Sequence, residues 1–326
     1  MILFAALELT ARVYSLGWGG LDPRRTTAVQ RLHGGPLHQP SSLPGLPYEL
    51  RPNFDGWVNG KRFVVSSRGL RDREHELTRP PSTFRVVVVG ASYGMGSGVT
   101  NEQIFHVRLE ERLNRAATGR TWELVNMSVG GYSIGEILTV VERKALAWDP
   151  DLVLFTTSPS QYVARQPQRG IFPDWFTFPQ FFITIARTAL AGWRNTLAAW
   201  WTGKPSDPPR RQTPEELRRS VERAEAIVTR LADFQRGTGI PVDVVILAHS
   251  GDWFDVLTEI GRVARSHGVG FIDASAPLRR ARFPYTCAFV FDCHPDALAH
   301  RMFADAIYDA LLETPSRGRV RVAVSR

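Results

Sequence analysis

The sequence predicts an α/β fold, a three-layer α/β/α sandwich around a five-stranded parallel sheet, on three observations. The run Phe84-Arg85-Val86-Val87-Val88-Val89 is almost wholly β-branched and ends in Gly90, as does a strand buried on both faces. Four further short apolar runs follow at Trp122–Asn126, Asp151–Thr157, Val242–Leu247 and Val269–Asp273. Between them the hydrophobic period changes from two to about four, and strands that alternate with helices imply a parallel sheet with both faces covered.

The helices carry their own start and stop signals. Thr100 and Gln103 form a capping box, after which Phe105, Leu109 and Leu113 recur every fourth residue. Ile134–Ala147 reads as a second helix and Trp253–Ser266 as a fourth. The third opens at the capping box Thr213-Pro214-Glu215-Glu216, with proline at the first helical position, carries Leu217, Val221, Val228 and Leu231, and is expected to close at Gly237. Leu298, Met302, Ala306 and Ala310 mark the apolar stripe of a final helix.

Composition narrows the class. The chain has 326 residues, 43% of them hydrophobic and 22% charged, which is ordinary for a globular protein. The net charge of +8 comes almost entirely from arginine. The arginines are interleaved with acidic residues, as in Arg71-Asp72-Arg73-Glu74, so no basic stripe for nucleic acid is expected. Two cysteines exclude a multi-disulfide scaffold or a Cys-rich metal site. Cys287 and Cys293 read as buried free thiols, or as a disulfide bracing the loop if the compartment is oxidising.

Two regions depart from the alternation. Residues 1–80 read as an N-terminal arm rich in Gly, Pro and Arg, with short strands around Trp57-Val58 and Phe63-Val65. Its first stretch, Met1–Tyr14, is too short for the roughly 20 residues of a membrane span. It reads as a helix packed on the domain, as one lying at a membrane surface, or as the stub of a longer anchor. The main domain, 81–326, follows Pro80-Pro81. Within it an aromatic insertion at about 162–212, including Trp175, Phe176, Trp193, Trp200 and Trp201, breaks the rhythm. It is either a lid or apolar wall of a substrate site, able to touch a membrane, or a helical hairpin extending the core.

Ligands in such sheets bind beyond the carboxyl ends of the strands. Ser92 lies there, in Val89-Gly90-Ala91-Ser92-Tyr93-Gly94. A serine hydroxyl is a weak nucleophile until a base takes its proton. His294, after the fifth strand and before the last helix, can be that base, and Asp292 can orient its imidazole from the same segment. Ser, Asp and His in this chain order are a serine-hydrolase arrangement. Gly94-Met95-Gly96-Ser97-Gly98 lacks the dinucleotide spacing, and without a lysine it cannot be a P-loop. No cofactor or metal is expected. His249, ending the fourth strand, either lines the site or is structural.

These blocks resemble the SGNH, or GDSL-type, hydrolase family over residues 84 to about 313. The matching segments are Val88–Val99, Val125-Asn126-Met127-Ser128-Val129-Gly130-Gly131-Tyr132, and Asp292-Cys293-His294-Pro295 with Ala299-His300-Arg301. In the arm, Tyr48–Phe54 and Ser67-Arg68-Gly69-Leu70-Arg71 are similar to a bacterial branch whose members often carry a membrane anchor. The resemblance implies a flavodoxin-like sheet, Ser92 as nucleophile, His294 as base, and the amides of Ser92 and Gly131 as oxyanion donors. It implies a bacterial protein, cytoplasmic or membrane-associated.

Three departures are visible. Ala91 replaces the usual aspartate, and Ser160-Gln161 stand where the family has asparagine then aspartate. The acid precedes the histidine by two residues where three is usual, a spacing similar to alginate acetyltransferase-like relatives. Ser160 becomes the expected third oxyanion donor, and Tyr93, Gln161 and His249 the expected pocket residues. The predicted function is hydrolysis of a small-molecule or glycan acyl ester. The alternatives are acyl transfer to a sugar or other hydroxyl from the same acyl-enzyme, or a non-catalytic relative that binds carbohydrate or a partner.

Overall fold

The computed structural model describes residues 2–16, 18, 21, 37–58, 60–116, 119–163, 212–248, 254–280, 287–289 and 292–313. Most of the aromatic insertion, His249, and the side chains of Asp292, Cys287 and Cys293 lie outside the described residues.

Five strands form one parallel sheet: β5 (Thr83–Val89), β6 (Thr121–Asn126), β7 (Leu152–Thr157), β8 (Val242–Ile246) and β9 (Gly270–Asp273), in the order β6-β5-β7-β8-β9. Before them come helix α1 (Ile2–Leu16) and two antiparallel hairpins, β1 (His38–Pro40) with β2 (Tyr48–Leu50), and β3 (Asp55–Val58) with β4 (Lys61–Val64). Between and after the sheet strands lie α2 (Ser92–Met95), α3 (Phe105–Arg115), α4 (Ile134–Arg143), α5 (Pro214–Thr238), α6 (Phe254–Ser266), α7 (Ala276–Arg280) and α8 (Ala297–Glu313). A short antiparallel pair, β10 (Cys287–Phe289) and β11 (Asp292–Pro295), precedes α8.

Successive residues of a strand face opposite ways, so an all-apolar strand serves two cores. Val86 and Val88 of β5 pack with Phe105, Leu109 and Leu113 of α3 and with Phe303 and Ile307 of α8. Val87 and Val89 pack on the other face with Ile137 and Val141 of α4, Val228 and Leu231 of α5, and Ile260 of α6. The three layers of the prediction are therefore present.

Several details differ from the pattern reading. The Thr100–Gln103 box caps a 3-10 turn, Asn101–Gln103, and α3 begins only at Phe105. Helix α5 runs past Gly237 and is closed by Gly239, whose left-handed φ of 72° lets its amide reach the Gln235 carbonyl at 2.8 Å. On α8 the buried line is Ala299, Phe303, Ile307 and Leu311, whereas the predicted Leu298, Met302, Ala306 and Ala310 are half-buried. Both lines are apolar at the same spacing, and the bulkier one, with Phe303 and Ile307, takes the centre. His294 stands on strand β11 rather than in an open loop.

The first 80 residues contribute to the core. Leu37, Leu46, Tyr48, Leu50, Phe63, Val65 and Leu70 all belong to the cluster on the α4–α5 face. Among the described residues no helix is long and apolar enough to cross a membrane.

His300, in the first turn of α8, is fully buried and stacks on Phe105, its Nδ1 accepting the Phe105 amide at 3.3 Å. Burial first, then the charges of Arg71, His106, Arg108 and His294, push its imidazole from 6.5 down to about 3. Because the folded value lies below the unfolded one, its contribution to stability is intact above 6.5 and is lost as pH falls towards 3. His300→Asn keeps an acceptor for the Phe105 amide but removes this titration. Urea unfolding between pH 6 and pH 4 is expected to show a slope shallower by about 1.4 kcal/mol per pH unit in the variant. Parallel slopes for the two proteins would contradict the assignment.

Candidate active site

Strand β5 delivers the chain to a tight turn. Ala91 is extended, Ser92–Met95 make one helical turn, and Gly96 ends it with a φ of 80°. The turn is pressed against β7. A Cβ on Gly90 would meet Thr156 Oγ1 at 2.0 Å, and one on Gly94 would meet both Thr156 Oγ1 and Ser128 Oγ at 2.6 Å. Glycine is required at both places by this approach. Thr156 itself donates to the Val89 carbonyl at 2.8 Å, tying β7 to the last residue of β5.

A cleft of about 670 Å³ opens at this edge of the sheet, lined by residues that include Ser92, Tyr93, Gly131, Ser160, Gln161 and His294. Six of the sequence-predicted site residues are thus brought together. The backbone of Asp292 lies two residues from His294 on β11, and its side chain lies outside the described residues, as does His249. Tyr93 and His294 meet edge to face, with ring centroids 5.5 Å apart. The Ser92 hydroxyl has no hydrogen-bond partner among the described residues, so no Ser92–His294 hydrogen bond is formed in this state. Catalytic contacts of this kind are often long in unliganded proteins and tighten when substrate binds.

The backbone amides of Ser92 and Gly131 likewise have no acceptor among the described residues. Gly131 has a φ of 84°, a conformation that glycine adopts without strain. The loop carrying it is held from the arm. Tyr48 donates its hydroxyl to the Gly130 carbonyl at 3.0 Å, and the Tyr132 hydroxyl donates to the Tyr48 carbonyl. Burial, with a contribution from Glu136, raises the Tyr48 phenol to about 12, so it stays protonated as the donor.

The third loop is ordered by Gln161 more than by Ser160. Gln161 Oε1 accepts from Thr157 Oγ1 at 2.9 Å and from the Ser158 amide at 3.0 Å, and its Nε2 donates to the Tyr132 carbonyl at 3.3 Å. Its carboxamide is therefore engaged at both ends and joins the two loops that flank the cleft. The Ser160 hydroxyl pairs with that of Ser158 at 2.9 Å. Proline at the first position of the 3-10 turn Pro159–Gln161 sets this course.

Pattern reading missed the groups that hold the turn carrying Ser92. Arg71, fully buried, donates to the carbonyls of Met95 (3.0 Å), Gly96 and Val99 (2.6 Å), and to Asn101 Oδ1 at 3.2 Å, with its guanidinium 3.4 Å over the Phe63 ring. These carbonyls would otherwise be buried without a donor. Asn126, the last residue of β6, donates to the Gly94 carbonyl and to His106 Nδ1, both at 3.0 Å, and its amide reaches Asp72 at 2.9 Å. His106 Nδ1 must then accept, which places its proton on Nε2, 3.2 Å from Asp72 but without hydrogen-bond alignment. Burial opposes the Asp72 charge, but His106 and His75 outweigh it and hold the carboxyl well below the usual range. Arg71 and Asp72 lie in the arm, which has no periodic signal. Only the place of Arg71 in the family-like segment Ser67–Arg71 could have singled it out, and Asp72 follows directly.

No family model matches the chain, and no curated protein matches it. Among solved structures it is similar to the lipase/acylhydrolase from Enterococcus faecalis, at 13% identity over 74% of this chain and 100% of that one, with a TM-score of 0.42. It is also similar to a protein of the G-D-S-L family from Desulfitobacterium hafniense, at 10% identity over 69% of this chain and 98% of that one, TM-score 0.41. A third is an acetylxylan esterase from Geobacillus stearothermophilus, at 11% identity over 69% and 93% of the two chains, TM-score 0.41. Residue roles in this chain rest on its own geometry.

Proposed function

We propose that the chain is a serine esterase that hydrolyses carboxylic acyl esters of small molecules or glycans through an acyl-enzyme on Ser92. The observation that supports this most is the meeting, in one cleft, of the imidazole of His294 with a serine hydroxyl and two amides that have no hydrogen-bond partner among the described residues. Ser92 Oγ attacks the ester carbonyl carbon while His294 takes the hydroxyl proton. The carbonyl oxygen gains the negative charge and receives the amides of Ser92 and Gly131, with the Ser160 hydroxyl as a third donor. The intermediate then collapses, the carbon–oxygen bond to the alcohol breaks, and His294 returns its proton to that alcohol. Water, deprotonated by His294, then attacks the acyl carbon, the bond from that carbon to Ser92 Oγ breaks, and His294 returns the proton to Oγ as the acid leaves. Asp292 orients His294 throughout, and Tyr93 packs against its ring.

A fluorophosphonate probe tests this directly, on wild type and on Ser92→Ala and His294→Ala. Wild type is expected to label at Ser92 and to turn over short acyl esters. Ser92→Ala should do neither, and His294→Ala should label far more slowly. Labelling accompanied by acyl transfer to an added alcohol, in place of hydrolysis, would identify a transferase. A wild type that neither labels nor turns over any ester would sink both enzymatic readings and leave a carbohydrate- or partner-binding protein.

A further inference from the structure

Helix α5 is rich in arginine, and nearly all of it is paired. Arg218 bonds to Glu215 and Glu222, Arg219 to Glu215, Arg230 to Glu142, and Arg236 to Asp233. Arg223 is different. It has no ion pair or hydrogen bond among the described residues, and it lines the same cleft as Ser92. Its neighbours at helical contact spacing are Arg219, Ser220, Ala226 and Ile227, with no carboxylate among them. Among the described residues of the cleft, Arg223 carries the single permanent charge, and the other polar groups are hydroxyls, backbone amides, the Gln161 carboxamide and the His294 imidazole. A half-buried arginine lining a concave wall, with five N–H donors and no carboxylate among the described lining residues, is suited to receive an oxyanion.

We propose that the ester this cleft takes carries an anionic group, a carboxylate or its equivalent, which pairs with Arg223 while the ester carbonyl sits at Ser92. The proposal rests on the reading of Ser92 as nucleophile and adds the substrate class. Arg223 is on this account a specificity residue that stays outside the bond-making steps. The anion can belong to the acyl chain or to the alcohol.

Two matched pairs of esters separate these sources. Methyl hydrogen adipate against methyl adipamate places the charge on the acyl side, and 3-acetoxypropanoate against 3-acetoxypropanamide places it on the alcohol side. Wild type is expected to favour the anionic member of one pair by about tenfold to a hundredfold in kcat/KM, as a charge-assisted hydrogen bond supplies. In Arg223→Gln that ratio should fall towards one, and Arg223→Lys should restore part of it, since a point charge replaces a fork. Calorimetric binding of the same pairs to Ser92→Ala, compared with Ser92→Ala/Arg223→Gln, measures the preference without turnover. Esters turned over with no charge preference in either pair, or with a preference that survives Arg223→Gln, would overturn the proposal and leave the nucleophile intact. Conversely, no turnover by wild type, with Arg223-dependent binding of an anionic ester, would remove the nucleophile and keep the anion site. Absence of both overturns the two together.

Discussion

Gly90→Ala is expected to lower the rate of probe labelling and ester turnover by about a hundredfold or more, since displacing a reacting group by about 1 Å costs that much. The added methyl would stand 2.0 Å from Thr156 Oγ1, 3.1 Å from Ser128 Oγ and 3.2 Å from the Thr156 carbonyl. The two strands must part or the turn must move, and the turn carries Ser92 two residues later. Overpacking of this kind also destabilises by about 1–3 kcal/mol, so a lower melting temperature should accompany the slower chemistry. Thr156→Ala in the Gly90→Ala background removes the closest contact and leaves the two near 3.1 and 3.2 Å. It should recover a large part of both losses. Labelling of Gly90→Ala at the wild-type rate would show that the turn has slack the packing does not suggest.

The second large effect lies at the opposite end of the same strand. Arg85 is fully buried and all its donors are engaged. Its Nε reaches Glu123 at 2.8 Å, one terminal nitrogen reaches the carbonyls of Leu77 and Trp148 at 2.8 Å each, and the other reaches the Glu76 carbonyl at 2.9 Å. Glu123 also faces His75 Nδ1 at 2.7 Å; burial acts against its charge, but its bonds with His75 and Arg85 hold the carboxyl below the usual range. Arg85→Met leaves a buried carboxylate short of its main partner and three carbonyls without donors. Removing one partner of a buried pair typically costs about 3–5 kcal/mol, and urea unfolding should show a loss of that size. Adding Glu123→Leu should recover part of it, because an apolar pair avoids the orphaned charge. A double variant less stable than the single one would mean that the charges matter for more than each other.

That residue also illustrates what the sequence makes legible. The five strands are visible because each is an apolar run ended by glycine or polar residues, and the sheet they imply follows from alternation with helices. Arg85 breaks the first run and yet does not end it, because four hydrogen bonds and an ion pair replace the water it gives up. No local pattern reports this, since its partners come from residues 76, 77, 123 and 148. Within the cleft, Ser92, Gly131 and Ser160 are foreseeable because residues just past parallel strands must share an edge, and His294 because it precedes the last helix. Arg223 was not, for it sits mid-helix on what reads as a polar face. Helical periodicity separates inside from outside but does not say which outside residues border a cleft. Gln161 was anticipated as a pocket residue. Its bonds to Thr157, Ser158 and Tyr132 make it a tie between loops, a role that spacing alone does not distinguish.

The hold of Arg71 on the carbonyls of Met95, Gly96 and Val99, together with the Tyr48–Tyr132 exchange, has a consequence for how this protein can vary. The scaffold that aligns the reactive edge is split between the repeating α/β unit and a segment that precedes it. A fragment beginning at Ser82 would retain every cleft residue in its described lining and still lack the guanidinium and the phenol that anchor two of its three loops. Substitution of Arg71 or Tyr48 is therefore expected to disturb the cleft from outside its lining.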